Sequence, residues 1–241
     1  MKKLILTTAI VSIGLTSTAF AADLPARAYT KAPEIMQAAY DWSGFYIGIN
    51  GGGGTSNFDW NADGFGEEGS HNATGATIGG QVGYRWQMAA WVFGVEAQGN
   101  WANLRGSNAT LLAATPGFIG DQNQSRIDAF GLFTGQIGYA WDRTLVYVKG
   151  GAAVTDNQYN VFNAGALIDN ASETRWGATV GVGIEYAIMP NLSLGFEYDH
   201  LFMGTNDVTF ASTQGEQIKQ DADLFTARLN YKFGGPVMAR Y

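Results

Sequence analysis

Four stretches of the chain repeat one pattern, an apolar residue at every second position closing on an aromatic. They carry Ile78, Val82, Tyr84 and Trp86; Phe133, Ile137, Tyr139 and Trp141; Val180, Val182, Ile184 and Tyr186; and Phe225, Leu229, Tyr231 and Phe233. The intervening positions include Gly, Gln, Thr and the charged Arg85, Glu185 and Arg228. A strand alternates its side chains between two faces, so one face here is apolar and the other polar or charged. A soluble barrel would point the apolar face inward. Charges on the opposite face describe the lumen of a membrane barrel with its apolar face outward.

The same alternation predicts about eight strands: residues 45–50, 73–86, 91–101, 126–141, 146–154, 173–187, 192–198 and a last one ending at Phe233. Short turns fall at 87–90, 142–143 and 189–191. Long polar stretches at 55–72, 102–125, 155–172 and 204–221 read as loops. Alternating short and long connections are expected of an outer-membrane barrel, with short turns in the periplasm and long loops outside. The reading is an all-β, eight-stranded antiparallel transmembrane barrel. Trp86, Trp91, Trp141, Tyr186, Tyr231 and Phe233 sit beside the short turns, and Trp101 and Trp176 fall toward the opposite ends. They form two aromatic girdles at the two membrane interfaces.

The chain opens with Lys2 and Lys3, an apolar run from Leu4 to Leu15, and Ala19-Phe20-Ala21. That layout is a secretory signal peptide cleaved after Ala21. A membrane anchor is the alternative, but about twelve apolar residues are too few to span a bilayer as a helix. The expected organisation is a signal peptide at 1–21, a periplasmic linker at 22–41 with Pro25 and Pro33, a barrel at 42–233 and a C-terminal extension at 234–241. Losing Lys2 and Lys3 leaves 12 basic against 21 acidic residues, a formal charge of −9. No basic footprint for nucleic acid is visible. With no cysteine, a disulfide framework and a thiolate metal site are excluded.

Ala22-Asp23-Leu24-Pro25, the run from Tyr40 to Gly48, and Lys149-Gly150-Gly151-Ala152-Ala153 carry a family resemblance. The mature chain resembles the small porin-family outer-membrane proteins of alpha-proteobacteria, the RopB type. The resemblance implies an eight-stranded barrel like the OmpA transmembrane domain, embedded in lipopolysaccharide and acting in envelope integrity and host contact. The chain itself reads as a monomer folded by the barrel assembly machinery, with no cofactor. Many such barrels end on the aromatic of the last strand, whereas here eight residues follow Phe233. Either Phe233 or Tyr241 is the terminal assembly signal.

Inward positions hold the candidate chemistry. Glu96, Lys149, Glu197 and Arg228 fall at similar depth; Arg85 and Glu185 lie nearer the periplasm, Asp128 and Arg175 nearer the outside. Side chains fill an eight-stranded barrel, and buried charges there must pair. The set reads as a network that plugs the barrel, with Lys149 paired to Glu96, Glu197 or both; the functional alternative is an ion path through it. An enzymatic reading has only His71 and His200 to draw on, with Asp199 beside His200 and no serine at a telling spacing. Asp59, Asp63, Glu67 and Glu68 could bind divalent cations but lack regular ligand spacing. The sequence thus favours a non-enzymatic structural barrel, ahead of a narrow porin for ions or small solutes and of an adhesin or ligand-binding barrel acting through its loops.

Overall fold

The computed structural model describes residues 40–112, 120–211 and 216–234. The expected signal peptide, the linker up to residue 39 and the extension beyond residue 234 lie outside the described residues. Eight strands follow in order: β1 Gly44–Ala62, β2 Gly66–Met88, β3 Trp91–Ala109, β4 Asp121–Trp141, β5 Thr144–Asn163, β6 Ala166–Met189, β7 Leu192–Val208 and β8 Glu216–Lys232. Each is antiparallel to the next, and β1 pairs with β8 from Tyr46↔Lys232 to Ala62↔Glu216. The sheet is therefore a closed barrel without a free first or last edge. Two of the three tight turns at one end use a left-handed residue, Ala89 (φ 55°) and Asp142 (φ 52°).

The long loops are corrected. Most of residues 55–72, 102–125, 155–172 and 204–221 continue the strands, which run 17 to 24 residues. Only residues 63–65 separate β1 from β2, and Ala164-Gly165, both at positive φ, separate β5 from β6. The physical reason is an exchange of faces along each strand. In the half beside the tight turns, Phe45, Ile47 and Ile49 of β1 point out and Tyr46 and Asn50 point in. Further along the same strand Phe58, Trp60 and Ala62 are buried inside, and Asn57, Asp59 and Asn61 face out. Leu104 of β3 and Ile218 of β8 repeat the inward apolar pattern, flanked by outward Asn103 and Arg105, and Gln217 and Lys219. One half is patterned for lipid outside and the other for water outside. A search for outward apolar residues sees the second half as polar loop.

The lumen is filled in layers. Nearest the tight turns, Trp42, Val92, Ala140, Leu145, Tyr147 and Ala187 pack together. A polar and charged layer follows. Above it comes an apolar layer of Phe130, Leu132, Ala153, Leu201, Met203, Ala222 and Leu224. A second apolar layer includes Phe58, Trp60, Leu104, Tyr159 and Ile218. Tyr40 and Asp41, read as the end of a linker, are part of this fold. The Trp42 amide donates to Gln87 Oε1 (2.7 Å), Tyr40 stacks edge-on against Trp42, and the Lys232 ammonium donates to the Asp41 carbonyl while lying 4.7 Å from the Tyr40 ring.

If residues 55–62 are core-bearing strand, Trp60→Ala removes a fully buried indole and should destabilise the folded barrel by about 3–5 kcal/mol. Refolding equilibria measured by urea titration in detergent test this. A loss indistinguishable from that of Asn61→Ala would return the segment to a loop.

Candidate functional site

Two similar units build the charged layer. Tyr46 on β1 donates its hydroxyl to Glu96 Oε2 on β3 (2.6 Å), and Tyr147 on β5 donates to Glu197 Oε2 on β7 (2.6 Å). Each bond links residues 50 apart. On the strand between, Gly83 and Gly183 leave the space that the two phenol rings occupy; a Cβ at either would collide with its ring. Arg228 on β8 joins the halves, one Nη donating to Glu96 and the other to Glu197. Its Nη1 also donates to the Tyr147 hydroxyl at 3.2 Å.

Lys149 Nζ lies 2.6 Å from Glu197 Oε1, 3.2 Å from Asp199 Oδ1 and 3.7 Å from Glu96 Oε1. Its Nζ donates to Glu197. Closer to the tight turns, Arg85 on β2 reaches across the lumen to Glu185 on β6 in a two-pronged pair of 3.1 and 2.7 Å. The Arg85 guanidinium also lies 4.4 Å from the Tyr46 ring and 5.7 Å from the Trp42 ring. Asn230 donates to Glu185 at 3.0 Å, and Gln81, Asn50 and Asn100 extend the network by amide bonds. Burial of these ions is tolerable because Arg228 is forked between two carboxylates and Arg85 holds both oxygens of one.

One expected member faces outward, and a second lies inward toward the outer end, apart from the charged layer. Asp128 sits at an irregularity between Ile127 and Ala129, which turns it outward into an ion pair with Arg126. Arg175 is fully buried in the upper barrel, donating to the Ile218 carbonyl (3.0 Å) and to Glu173 (2.8 Å). The pairing of Asp199 with His200 is also corrected. Neighbours in a strand face opposite ways, so Asp199 is inside while His200 is outside, 2.7 Å from Asp223. Of the four acids weighed as cation ligands, Glu68 points inward and Asp59 and Glu67 outward. No cluster of three or more metal-ligating side chains occurs among the described residues. Tyr46 and Tyr147 were missed as network members. The signal available was their inward parity and their equal distance from Glu96 and Glu197.

All eight girdle aromatics lie on the outer surface, exposed from 44% for Tyr231 to 81% for Trp141. On β3, Trp91 and Trp101 stand ten positions apart. A tilted strand of that length rises about 25 Å, the height of the apolar band on a membrane barrel.

The outer membrane protein beta-barrel domain model matches residues 8–233. The chain belongs to this family. The 31 kDa outer-membrane immunogenic protein of Brucella melitensis biotype 1 is 30% identical over 97% of this chain and the whole of that protein. The 25 kDa outer-membrane immunogenic protein of the same organism is 26% identical over 97% of this chain and 99% of its own length. Among solved structures, Neisserial surface protein A aligns with a TM-score of 0.39 and 17% identity over 79% of this chain and 98% of that one. The protein is a small β-barrel of the outer membrane, with immunogenic outer-membrane proteins rather than enzymes as its relatives.

Two predictions follow from this geometry. Lys149→Ala leaves Glu96, Glu197 and Asp199 with only Arg228 between them, and breaking a buried ion set this way costs about 3–5 kcal/mol. Lys149→Met with Asp199→Asn removes both charges together and should cost clearly less in the same refolding assay. The reverse order would show that the layer is not held by this pairing.

The second concerns pH at the far end of the barrel, above the apolar band. Burial, with Glu68 and Asp63 nearby, pushes the Glu216 carboxyl up to about 8, against an ordinary 4.5. The folded state therefore holds this proton more tightly than the unfolded chain. The stability it contributes is full below about 4.5, declines as pH rises, and is lost once pH passes about 8. Glu216→Gln should flatten that decline. Protease susceptibility of the end hairpins at pH 5, 7 and 9 tests it; parallel profiles for both proteins would count against it.

Proposed function

We propose that the protein is a structural, monomeric barrel of the outer membrane that stabilises the envelope without forming an open pore. The observation that carries this reading is the filled lumen. The Trp42 layer, the ion-paired layer around Arg228 and two apolar layers lie in series along the barrel. An ion path would need continuous water, and apolar layers packed from all sides of the wall offer none. The proposed orientation puts the tight turns and residues 40–43 in the periplasm and the strand extensions at the cell surface, the topology usual for such barrels. Outer-leaflet lipopolysaccharide and the barrel assembly machinery are the partners that reading implies. The adhesin reading gains from exposed Leu111, Leu167 and Ile168 toward the tips of that end, which offer apolar surface for protein contact.

Single-channel recording in planar bilayers tests the sealed lumen. Wild type should give no steady conductance. A large, steady pore, unaffected by Lys149→Ala, would replace this reading with that of a porin. Orientation is tested separately. Single cysteines at Asp63 and Asn163 should be labelled on intact cells by an impermeant reagent, and those at Asp142 and Asn191 should not; the opposite pattern reverses the topology.

A further inference from the structure

Like charges directly opposite each other on neighbouring strands repel, and a sheet tolerates the arrangement only where something compensates. Arg105 on β3 and Arg126 on β4 are such a pair, in direct cross-strand register. Both point outward, since their neighbours Leu104 and Ile127 are register partners buried in the upper core. Arg126 is held by Asp128, which the irregularity in β4 turns out beside it. The Arg105 guanidinium has no hydrogen-bond or ion-pair partner among the described residues. The trio therefore keeps one positive charge unanswered on a chain whose expected mature charge is −9. Thr74 on β2 and Gln158 on β5 complete the row, each in register with one of the arginines and each exposed.

The depth of this row is the second observation. Trp101 marks the upper edge of the apolar band and is 75% exposed. Arg105 stands two outward positions above it on the same strand, about 10 Å along a tilted strand's rise. Arginine side chains snorkel by several ångström toward a preferred polar layer. That range covers the interfacial layer directly above the hydrocarbon, where lipid phosphates lie. Guanidinium is the group best matched to a phosphate, which it engages by two parallel N–H···O bonds.

We propose that Arg105 and Arg126, flanked by Thr74 and Gln158, form a binding site for the phosphate group of an outer-leaflet lipid. A phosphate between the guanidiniums converts their repulsion into two charge-assisted contacts, with Asp128 positioning Arg126. The lipid rather than free phosphate is the source, because the row lies at headgroup depth and Trp101 below it offers an apolar flank to an acyl chain. This inference rests on the outward topology proposed above only for the name of the leaflet.

The test uses the full mature protein refolded into symmetric phosphatidylcholine vesicles with and without added lipid A bisphosphate. Symmetry makes the readout independent of orientation, which the cysteine labelling reports by itself. Native mass spectrometry should find lipid A retained on the wild-type barrel. Arg105→Gln with Arg126→Gln should retain about tenfold less, the loss usual for charge-assisted hydrogen bonds of this kind. Lys219→Gln, an outward cation already beside Asp221 (3.6 Å), should retain as much as wild type. Stability gives a second readout. In vesicles lacking lipid A, Arg105→Gln should match or exceed wild type because repulsion is relieved; with lipid A it should fall below wild type. Equal retention by wild type and the double variant overturns the site. Equal stabilisation of wild type by millimolar inorganic phosphate overturns the lipid as its source.

Discussion

Arg228 sits where the barrel cannot do without it. An eight-stranded lumen is too narrow to hydrate ions, yet Glu96 and Glu197 project into it from opposite halves of the wall. One guanidinium, forked between both carboxylates, turns two uncompensated charges into one bonded set. The arrangement then constrains its neighbours. Tyr46 and Tyr147 must cross under the layer to finish the carboxylate coordination, so the strands they cross carry Gly83 and Gly183. Arg85 and Glu185 must pair with each other, because Arg228 is fully used.

The layer is a device for uniqueness as much as for stability. A greasy lumen of similar volume could be as stable, since replacing buried ion sets by packed apolar groups is often neutral or favourable. Fixed ion pairs between β2 and β6, and among β3, β5, β7 and β8, accept only one register of the wall. A one-residue slip in any of these strands would turn its charge toward lipid. Closure of β1 on β8 is tied in the same way: Arg228 stands in register with Asn50, and the Phe233 amide donates to the Phe45 carbonyl beside Lys232 and Asp41.

The membrane half of the fold was legible because lipid imposes a period of two on every strand and aromatics mark where it ends. Val82, Ile137, Val148 and Ile184 are outward for that reason. Depth estimates from strand ends also sufficed to group Glu96, Lys149, Glu197 and Arg228. The upper half was illegible for an equally physical reason. Phe58, Trp60, Leu104 and Ile218 carry the same alternation with its faces exchanged, and without knowing what surrounds the wall, polar outward residues read as loops. Asp128 was misplaced by a single irregularity in β4, which parity counting cannot anticipate. Asp199 and His200 were joined because adjacency in sequence was allowed to stand for adjacency in space.

The exchange of faces sets what each half of the molecule can do. Where lipid surrounds the wall, apolar groups are taken outside, and the lumen receives the polar groups that must satisfy one another. Above the band water satisfies polar groups at the outer surface, so the lumen can be apolar and packed. The apolar packing of the lumen therefore lies mainly in the upper half and its fixed ion pairs in the lower. The outward surface at the transition belongs to neither regime. It carries charge on two separate parts of the wall, Arg105, Arg126 and Asp128 on β3 and β4, and His200 and Asp223 on β7 and β8. Pairing neutralises His200 with Asp223 when the imidazole is protonated, and Arg126 with Asp128. The Arg105 guanidinium is left without a protein counter-charge beside this pair, and that is the charge the proposed lipid phosphate would answer.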